Sequence, residues 1–113
     1  MDDQIRKYLQ DILAAVEETQ GYFVGEPLLF ERFQNNLMLR RAVERNVEIM
    51  GEAMNRILKI EKDIKITDAR RIVDARNYIV HGYDRLSPDI LWSIVVNHLS
   101  ILKTEVLRLL SEY

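Results

Sequence analysis

The sequence predicts an all-α fold, a single domain over residues 1–113 in which four main helices pack as an up-and-down bundle. Apolar residues recur at i, i+3, i+4 and i+7 spacing in four segments. Residues that favour helix starts and ends separate these segments, and no strand-like alternation or internal repeat appears. The 113 residues, of which 48% are apolar, are enough for one hydrophobic core and too few for two.

The first helix is predicted to begin after Asp2 and Asp3, which are good N-caps, and to end at Gly21. Its apolar face consists of Ile5, Tyr8, Leu9, Ile12, Leu13 and Val16. These spacings are typical of an amphipathic helix that buries one side.

A long second helix is predicted to start near Pro27 and to run to about Lys59, with Asn35-Asn36 as the point where it can kink or restart. This helix is apolar on two sides, which indicates a place inside a bundle or against a second subunit. Gly51 lies in its interior at a cost of about 1 kcal/mol relative to Ala. We therefore expect another helix to approach closely there.

The third helix is predicted from about Asp68 to His81, after a tethered connector at 60–67. Thr67 is the expected N-cap, and Gly82 is well placed to end the last turn.

The fourth helix is predicted to begin with Ser87 as N-cap and Pro88 in the first turn, and to continue to the C-terminus. One face is expected to line the core: Leu91, Val95, His98, Leu102, Val106 and Leu109. We interpret His98 as a core histidine with its hydrogen bonds satisfied.

Composition excludes several classes of site. The chain has no cysteine, so disulfides and thiolate metal sites are absent, which suits a reducing cytoplasm. No apolar run reaches about 20 residues and the N-terminus is not a signal peptide, so we expect a cytoplasmic protein without a membrane span. The two histidines are distant in sequence and no cluster has ligand spacing, so neither a metal nor another cofactor is expected.

Charge is unevenly distributed. The net charge is −2, yet residues 40–85 carry 11 basic and 8 acidic side chains, a surplus of 3 positive charges. This surplus permits weak contact with a polyanion, although a solvated charged surface explains it equally well. A DNA-binding domain has a stronger basic footprint, so DNA is not an expected partner.

Arg76 is the sharpest anomaly. It projects into the middle of an apolar arc of about 120° on the third helix, which is formed by Ala69, Ile72, Val73, Ile79 and Val80. A buried guanidinium without a partner costs several kcal/mol. Either Arg76 lies at the core edge and pairs with a carboxylate such as Glu52 or Asp74, or the arc is a subunit interface and Arg76 faces a shared cleft.

His81 lies about 140° around the helix from Arg76 and about 7.5 Å further along it. A site that uses both needs long side-chain reach or a second copy of the helix across a two-fold axis. Asn77 and His81, at i and i+4, share a face. The helix dipole favours a charged His81 and a nearby guanidinium opposes it, a balance that suits acid–base work near neutral pH. A capping histidine that bonds backbone carbonyls is the alternative, and Tyr83 is expected in a turn.

The stretch from Arg76 to Tyr83 resembles the R-x4-H-x-Y motif of HEPN-superfamily proteins of the HepT type, also called DUF86. Other family landmarks occur in the right order: Glu26-Pro27-Leu28-Leu29, Ile49-Met50-Gly51-Glu52-Ala53 and Asp89-Ile90-Leu91-Trp92. The resemblance covers nearly the whole chain. It implies a four-helix HEPN fold and a homodimer in which the two motifs face each other.

The resemblance also implies an activity, a metal-independent RNA endonuclease that is the toxin of a type VII-like toxin–antitoxin pair. Its partner is then a nucleotidyltransferase antitoxin of the MntA type, which neutralises it by AMPylation of Tyr83. Our hypothesis for the chemistry is that His81 moves a proton, Arg76 stabilises charge on phosphorus during attack by the RNA 2′-OH, and Asn77 orients His81 or the phosphate.

Two other functions are compatible with the sequence. The chain could be a non-catalytic helical module that binds a minimal nucleotidyltransferase and a nucleotide or RNA. It could also be a purely structural dimerisation domain with Arg76 in an interfacial salt bridge.

Overall fold

The structure, a computed structural model, describes residues 2–82 and 87–112. They form α1 (Asp3–Gly21), α2 (Phe30–Gln34), α3 (Leu37–Ile60), α4 (Ala69–His81), α5 (Pro88–Ser93) and α6 (Leu99–Glu112), with a π-helical segment (Ile94–His98) between α5 and α6. The last three make one continuous helix, Pro88–Glu112. No strand occurs in this part of the chain. The predicted all-α fold class is confirmed.

The central helix is α3, which packs along both α1 and α4. Tyr8 near the start of α1 lies beside Arg56 near the end of α3, whereas Glu18 near the end of α1 contacts Asn46 in the first half of α3. The two helices are therefore antiparallel. The C-terminal helix closes the bundle against α1. The largest fully enclosed core side chains are Phe33, Leu9, Ile12, Met50, Met54, Ile57, Ile72, Leu91, Leu99 and Leu102.

The long second helix was only partly predicted. The break at Asn35-Asn36 is confirmed, and the Asn36 side chain caps α3 by accepting a hydrogen bond of 3.0 Å from the Leu39 amide. The predicted start near Pro27 lies three residues too early, because the chain becomes helical only at Phe30. The rings of Phe30 and Phe33 pack against Trp92, with centroids 6.1 and 5.3 Å apart. These contacts hold α2 as a separate short helix.

The third predicted helix corresponds to α4, with a corrected N-terminus. Asp68 occupies the N-cap position, and the prediction that Thr67 caps the helix was wrong. The Thr67 amide and hydroxyl instead donate to the Glu105 carboxylate, at 3.0 and 2.8 Å. At the other end Gly82 stops the helix in an extended conformation (φ −76°), and its N–H bonds to the Tyr78 carbonyl at 2.8 Å.

The C-terminal helix begins as predicted, with Ser87 at the N-cap and Pro88 in the first turn. The predicted buried face was wrong at two positions: Ile94 and Leu99 are buried, whereas Val95 and His98 are only partly so. The π-helical segment explains the shift. The Leu99 N–H bonds to the Ile94 carbonyl, so this turn holds an extra residue and rotates the rest of the helix relative to α5.

By length and composition alone, Pro88–Glu112 is also long and apolar enough to cross a membrane. Core helices of globular proteins have the same properties. Here α6 packs against α1 and buries Leu99, Leu102, Val106 and Leu109.

Candidate active site

The contact between α3 and α4 is closest where Arg76 meets Gly51. A Cβ atom added to Gly51 would overlap the Arg76 Cβ, and it would lie 2.8 Å from the Ile72 carbonyl oxygen and 2.9 Å from the Arg76 Cγ. The close helix approach that Gly51 predicts is confirmed, and the side chain that uses the space is Arg76. Its aliphatic stem lies directly on the α3 backbone.

The guanidinium of Arg76 has few partners. Nη1 donates to the Asn77 Oδ1 at 3.1 Å, while Nε is buried without a hydrogen-bond partner. Among the described residues it forms no ion pair, and Glu52 bonds instead to Arg56 at 3.2 Å. The alternative in which Arg76 forms a salt bridge with Glu52 or Asp74 is therefore wrong: neither carboxylate pairs with it in the described structure. A buried donor left unpaired costs about 1–3 kcal/mol, which an anionic ligand could recover.

His81 is the last residue of α4 and is exposed. Its ring makes neither a hydrogen bond nor an ion pair with any other described residue, so the capping alternative is not observed there. Asn77, which shares its face by spacing, bonds to Arg76. In a single chain the structure thus brings Asn77 to Arg76, while Arg76 and His81 stay on different sides of α4, about 140° apart.

Apolar side chains near His81 remain open to solvent. Val80, predicted to lie on the apolar arc with Arg76, is 41% exposed, and Tyr78 is 51% exposed. Val80 is therefore not part of the core of the single chain. An exposed apolar surface beside a polar site is typical of a place where another protein surface packs.

Two further predicted residues have different outcomes. Tyr83 lies outside the described residues. His98 is a satisfied, mostly buried histidine as interpreted from the sequence: its Nδ1 lies 2.9 Å from the Asp68 Oδ2, with side chains 16% and 13% exposed. Within residues 2–82 and 87–112, no three His, Asp or Glu side chains gather as a metal site.

Sequence reasoning missed a groove of about 540 Å³ that begins at Arg76 and lies between α1, α3 and α4. Its principal lining residues are Tyr8, Glu52, Asn55, Arg56 and Lys59. Arg56 lies 6.0 Å from the Tyr8 ring centroid, and its Nη2 donates a hydrogen bond of 3.2 Å to the Glu52 Oε1. The available signal was the polar i, i+3, i+4, i+7 spacing of positions 52, 55, 56 and 59 on a helix otherwise apolar on two sides.

Comparison with known proteins agrees with this architecture. The family described as "Ribonuclease HepT-like" matches residues 5–109. The protein named Putative RNase MJ1380, of Methanocaldococcus jannaschii, is 30% identical over 104 residues, which cover 90% of this chain and 93% of that protein. Putative RNase TTE0752, of Caldanaerobacter subterraneus subsp. tengcongensis, is 29% identical over 109 residues, 95% of each chain. No solved structure matches the chain.

Proposed function

This chain belongs to the HepT-like ribonuclease family, and from that premise we propose that it is an RNA endonuclease that works without a metal, through Arg76 and His81. The observation that carries the proposal is the state of these two side chains. Arg76 holds a guanidinium without a carboxylate partner in the described chain at the mouth of a groove. His81 presents an exposed imidazole without a hydrogen bond to any other described residue, about one and a half turns further along the same helix.

The reaction is determined by the substrate, because RNA carries its own nucleophile. The 2′-oxygen forms a bond to the adjacent phosphorus and loses its proton to an imidazole, while the P–O5′ bond breaks and the leaving oxygen takes up a proton. Arg76 stabilises the added negative charge on the phosphoryl oxygens, and Asn77 holds its guanidinium in orientation. Proton transfer contributes about 10²–10⁴-fold, and each well-placed charge donor about 10²–10³-fold.

A homodimer completes this site. Within one chain, Arg76 and His81 point to different sides of α4. Two copies of α4 related by a two-fold axis would bring the Arg76 of one chain near the His81 of the other. Two imidazoles in one cleft also supply one base and one acid. The exposed Val80 and Tyr78 within the motif support the proposal, because a second copy of α4 gives this apolar surface a partner.

We also propose that the protein is a cytoplasmic toxin whose antitoxin is a nucleotidyltransferase of the MntA type. AMP attached to Tyr83 adds negative charge and bulk two positions after His81, which opposes entry of an RNA phosphate. Support comes from the sequence motif and the family match. Intact mass after co-expression tests it, and increments of one AMP that vanish in Tyr83→Phe are the expected result.

Cleavage in EDTA tests the nuclease. Purified wild-type protein is expected to cut single-stranded RNA, and His81→Ala and Arg76→Ala to lose at least about 100-fold of that rate. Arg70→Ala is the matched control, because Arg70 is an exposed arginine on the same helix outside the groove. Undiminished cleavage by both site variants would contradict the mechanism. Inert wild type that still binds the nucleotidyltransferase would favour the non-catalytic binding module instead.

A further inference from the structure

The groove beside Arg76 has a floor formed by one polar stripe of α3. Residues at i, i+3, i+4 and i+7 point into it: Glu52, Asn55, Arg56 and Lys59. Tyr8 of α1 forms one wall and Arg76 of α4 the other. From Glu52 to Lys59 the stripe rises about 10 Å along the helix.

The charge of this groove favours an anion. Three cationic side chains, Arg56, Lys59 and Arg76, line it with the single carboxylate of Glu52. Glu52 is already bonded to Arg56 at 3.2 Å. Lys59 and Arg76 form no ion pair with another described residue, so two positive charges remain uncompensated at opposite ends of the groove.

Tyr8 adds a flat surface to this charged groove. Its side chain is half-buried and lines the groove, so part of the ring is accessible from it. Arg56 lies 6.0 Å from the ring centroid. Aromatic rings and guanidinium planes are the surfaces on which proteins stack unpaired bases, whereas duplex RNA hides its base faces.

The direction of the groove connects it to the proposed cleavage site. Arg76 packs at Gly51, and the groove runs from there towards the C-terminal end of α3. His81 is the C-terminal residue of α4, so it lies on the side of Arg76 away from the groove. A stacked strand advances about 3.4 Å per nucleotide, so the groove has the length of about three nucleotides. Arg76 would then stand between the reacting phosphate and the strand that leads away from it.

We propose that this groove binds the single-stranded RNA segment next to the cleaved bond, with an unpaired base stacked on Tyr8 and a phosphate bound by Lys59. The inference rests on the proposed ribonuclease function and assigns the substrate's position in that site. Tyr8 and Lys59 are positioning residues that take no part in proton transfer.

Binding to an RNA that cannot be cleaved tests the groove separately from the chemistry. The probe is a fluorescein-labelled 12-nucleotide 2′-O-methyl RNA of mixed sequence, in which the attacking hydroxyl is blocked, and the measurement is fluorescence anisotropy over a range of salt. Tyr8→Leu is expected to weaken binding at least about fivefold, the lower end for loss of one stacked base. Tyr8→Phe keeps the ring and is expected to bind within about twofold of wild type.

Lys59→Gln should lower the steepness of log affinity against log salt by about 0.7, the value for one phosphate contact on a single strand. Lys62→Gln is the matched control, because Lys62 is exposed just beyond the end of α3 and does not line the groove. An unlabelled duplex of the same sequence should compete poorly. Circular dichroism melting confirms that each variant is folded.

The outcomes separate the two proposals. If Tyr8→Leu and Lys59→Gln both bind the RNA as wild type does, or if the duplex competes as well as the single strand, the groove is not the RNA-binding site. This conclusion would hold even if unmodified RNA is cleaved normally. Loss of binding in these variants, together with no cleavage of unmodified RNA by the wild type, would retain the groove and refute the nuclease. A wild-type protein that binds no RNA overturns both.

Discussion

The packing of Arg76 on Gly51 predicts that Gly51→Ala destabilises the protein, although alanine is the better helix former. Helix propensity favours the substitution by about 1 kcal/mol. Against this, the new Cβ overlaps the Arg76 Cβ and lies 2.8 Å from the Ile72 carbonyl oxygen. Both atoms are fixed to the α4 backbone, so no side-chain rotation relieves the overlap and α4 has to move. Overpacking of this kind costs up to about 3 kcal/mol, which leaves a net loss of about 2 kcal/mol.

Urea unfolding monitored by circular dichroism measures this loss of unfolding free energy. In a separate thermal melt, the melting temperature should fall by about 10 °C. Gly21→Ala is the control, because Gly21 ends α1 with no atom within 4 Å of an added Cβ, and it should be neutral or slightly stabilising. Combining Gly51→Ala with Arg76→Gly removes two of the three close contacts. The double variant should therefore lose less unfolding free energy than the two single variants lose together, by at least about 1 kcal/mol. A Gly51→Ala variant as stable as Gly21→Ala would refute the packing argument.

Two further predictions concern the helix ends and one exposed carboxylate. Asn36→Ala removes the side-chain cap of α3 and should cost about 1 kcal/mol of unfolding free energy in the same assay; Asn35→Ala, which removes no capping bond, is its control, and equal stabilities would show that the cap contributes nothing. Hydrogen bonds from Tyr22 and then Asn46 lower the pKa of Glu18 below its ordinary value of 4.5, so this contribution to stability is present above about pH 4.5 and is lost as the pH falls through the folded-state pKa. In Tyr22→Phe the pKa of Glu18 should move up towards 4.5 in an NMR titration, and the stability difference from wild type should shrink in acid; an unchanged Glu18 titration would contradict this.

Helix identities could be predicted from the sequence because the apolar periodicity reports which face is buried, whatever that face packs against. Helix starts were less predictable, since local preference competes there with distant partners. Thr67 is a good N-cap by type, yet its hydroxyl bonds to Glu105, 38 residues away. Pro27 is a good first-turn residue, yet α2 begins only at Phe30, where Phe30 and Phe33 pack against the distant Trp92.

The buried face of the C-terminal helix shows a different limit. A constant 100° per residue assigns Val95 and His98 to the core, but the extra residue of the π-helical turn replaces them with Ile94 and Leu99. The interpretation of His98 as a satisfied histidine is confirmed, and its partner is Asp68, 30 residues earlier in the chain. The spacing of five between Ile94 and Leu99 was the only sequence signal of this turn.

The candidate site shows why two sequence anomalies had to be considered together. A glycine in the middle of a long helix and an arginine in an apolar arc each cost stability, and 25 positions separate them. Only the register of α4 on α3 shows that Gly51 provides the space for the Arg76 stem. That Arg76 has no carboxylate partner within residues 2–82 and 87–112 could have been anticipated in part, because Glu52 and Arg56 have the favourable i, i+4 order on α3, and that local pair forms. The fold thus uses a glycine to place the stem of Arg76, while the Glu52 carboxylate next to that glycine bonds to Arg56.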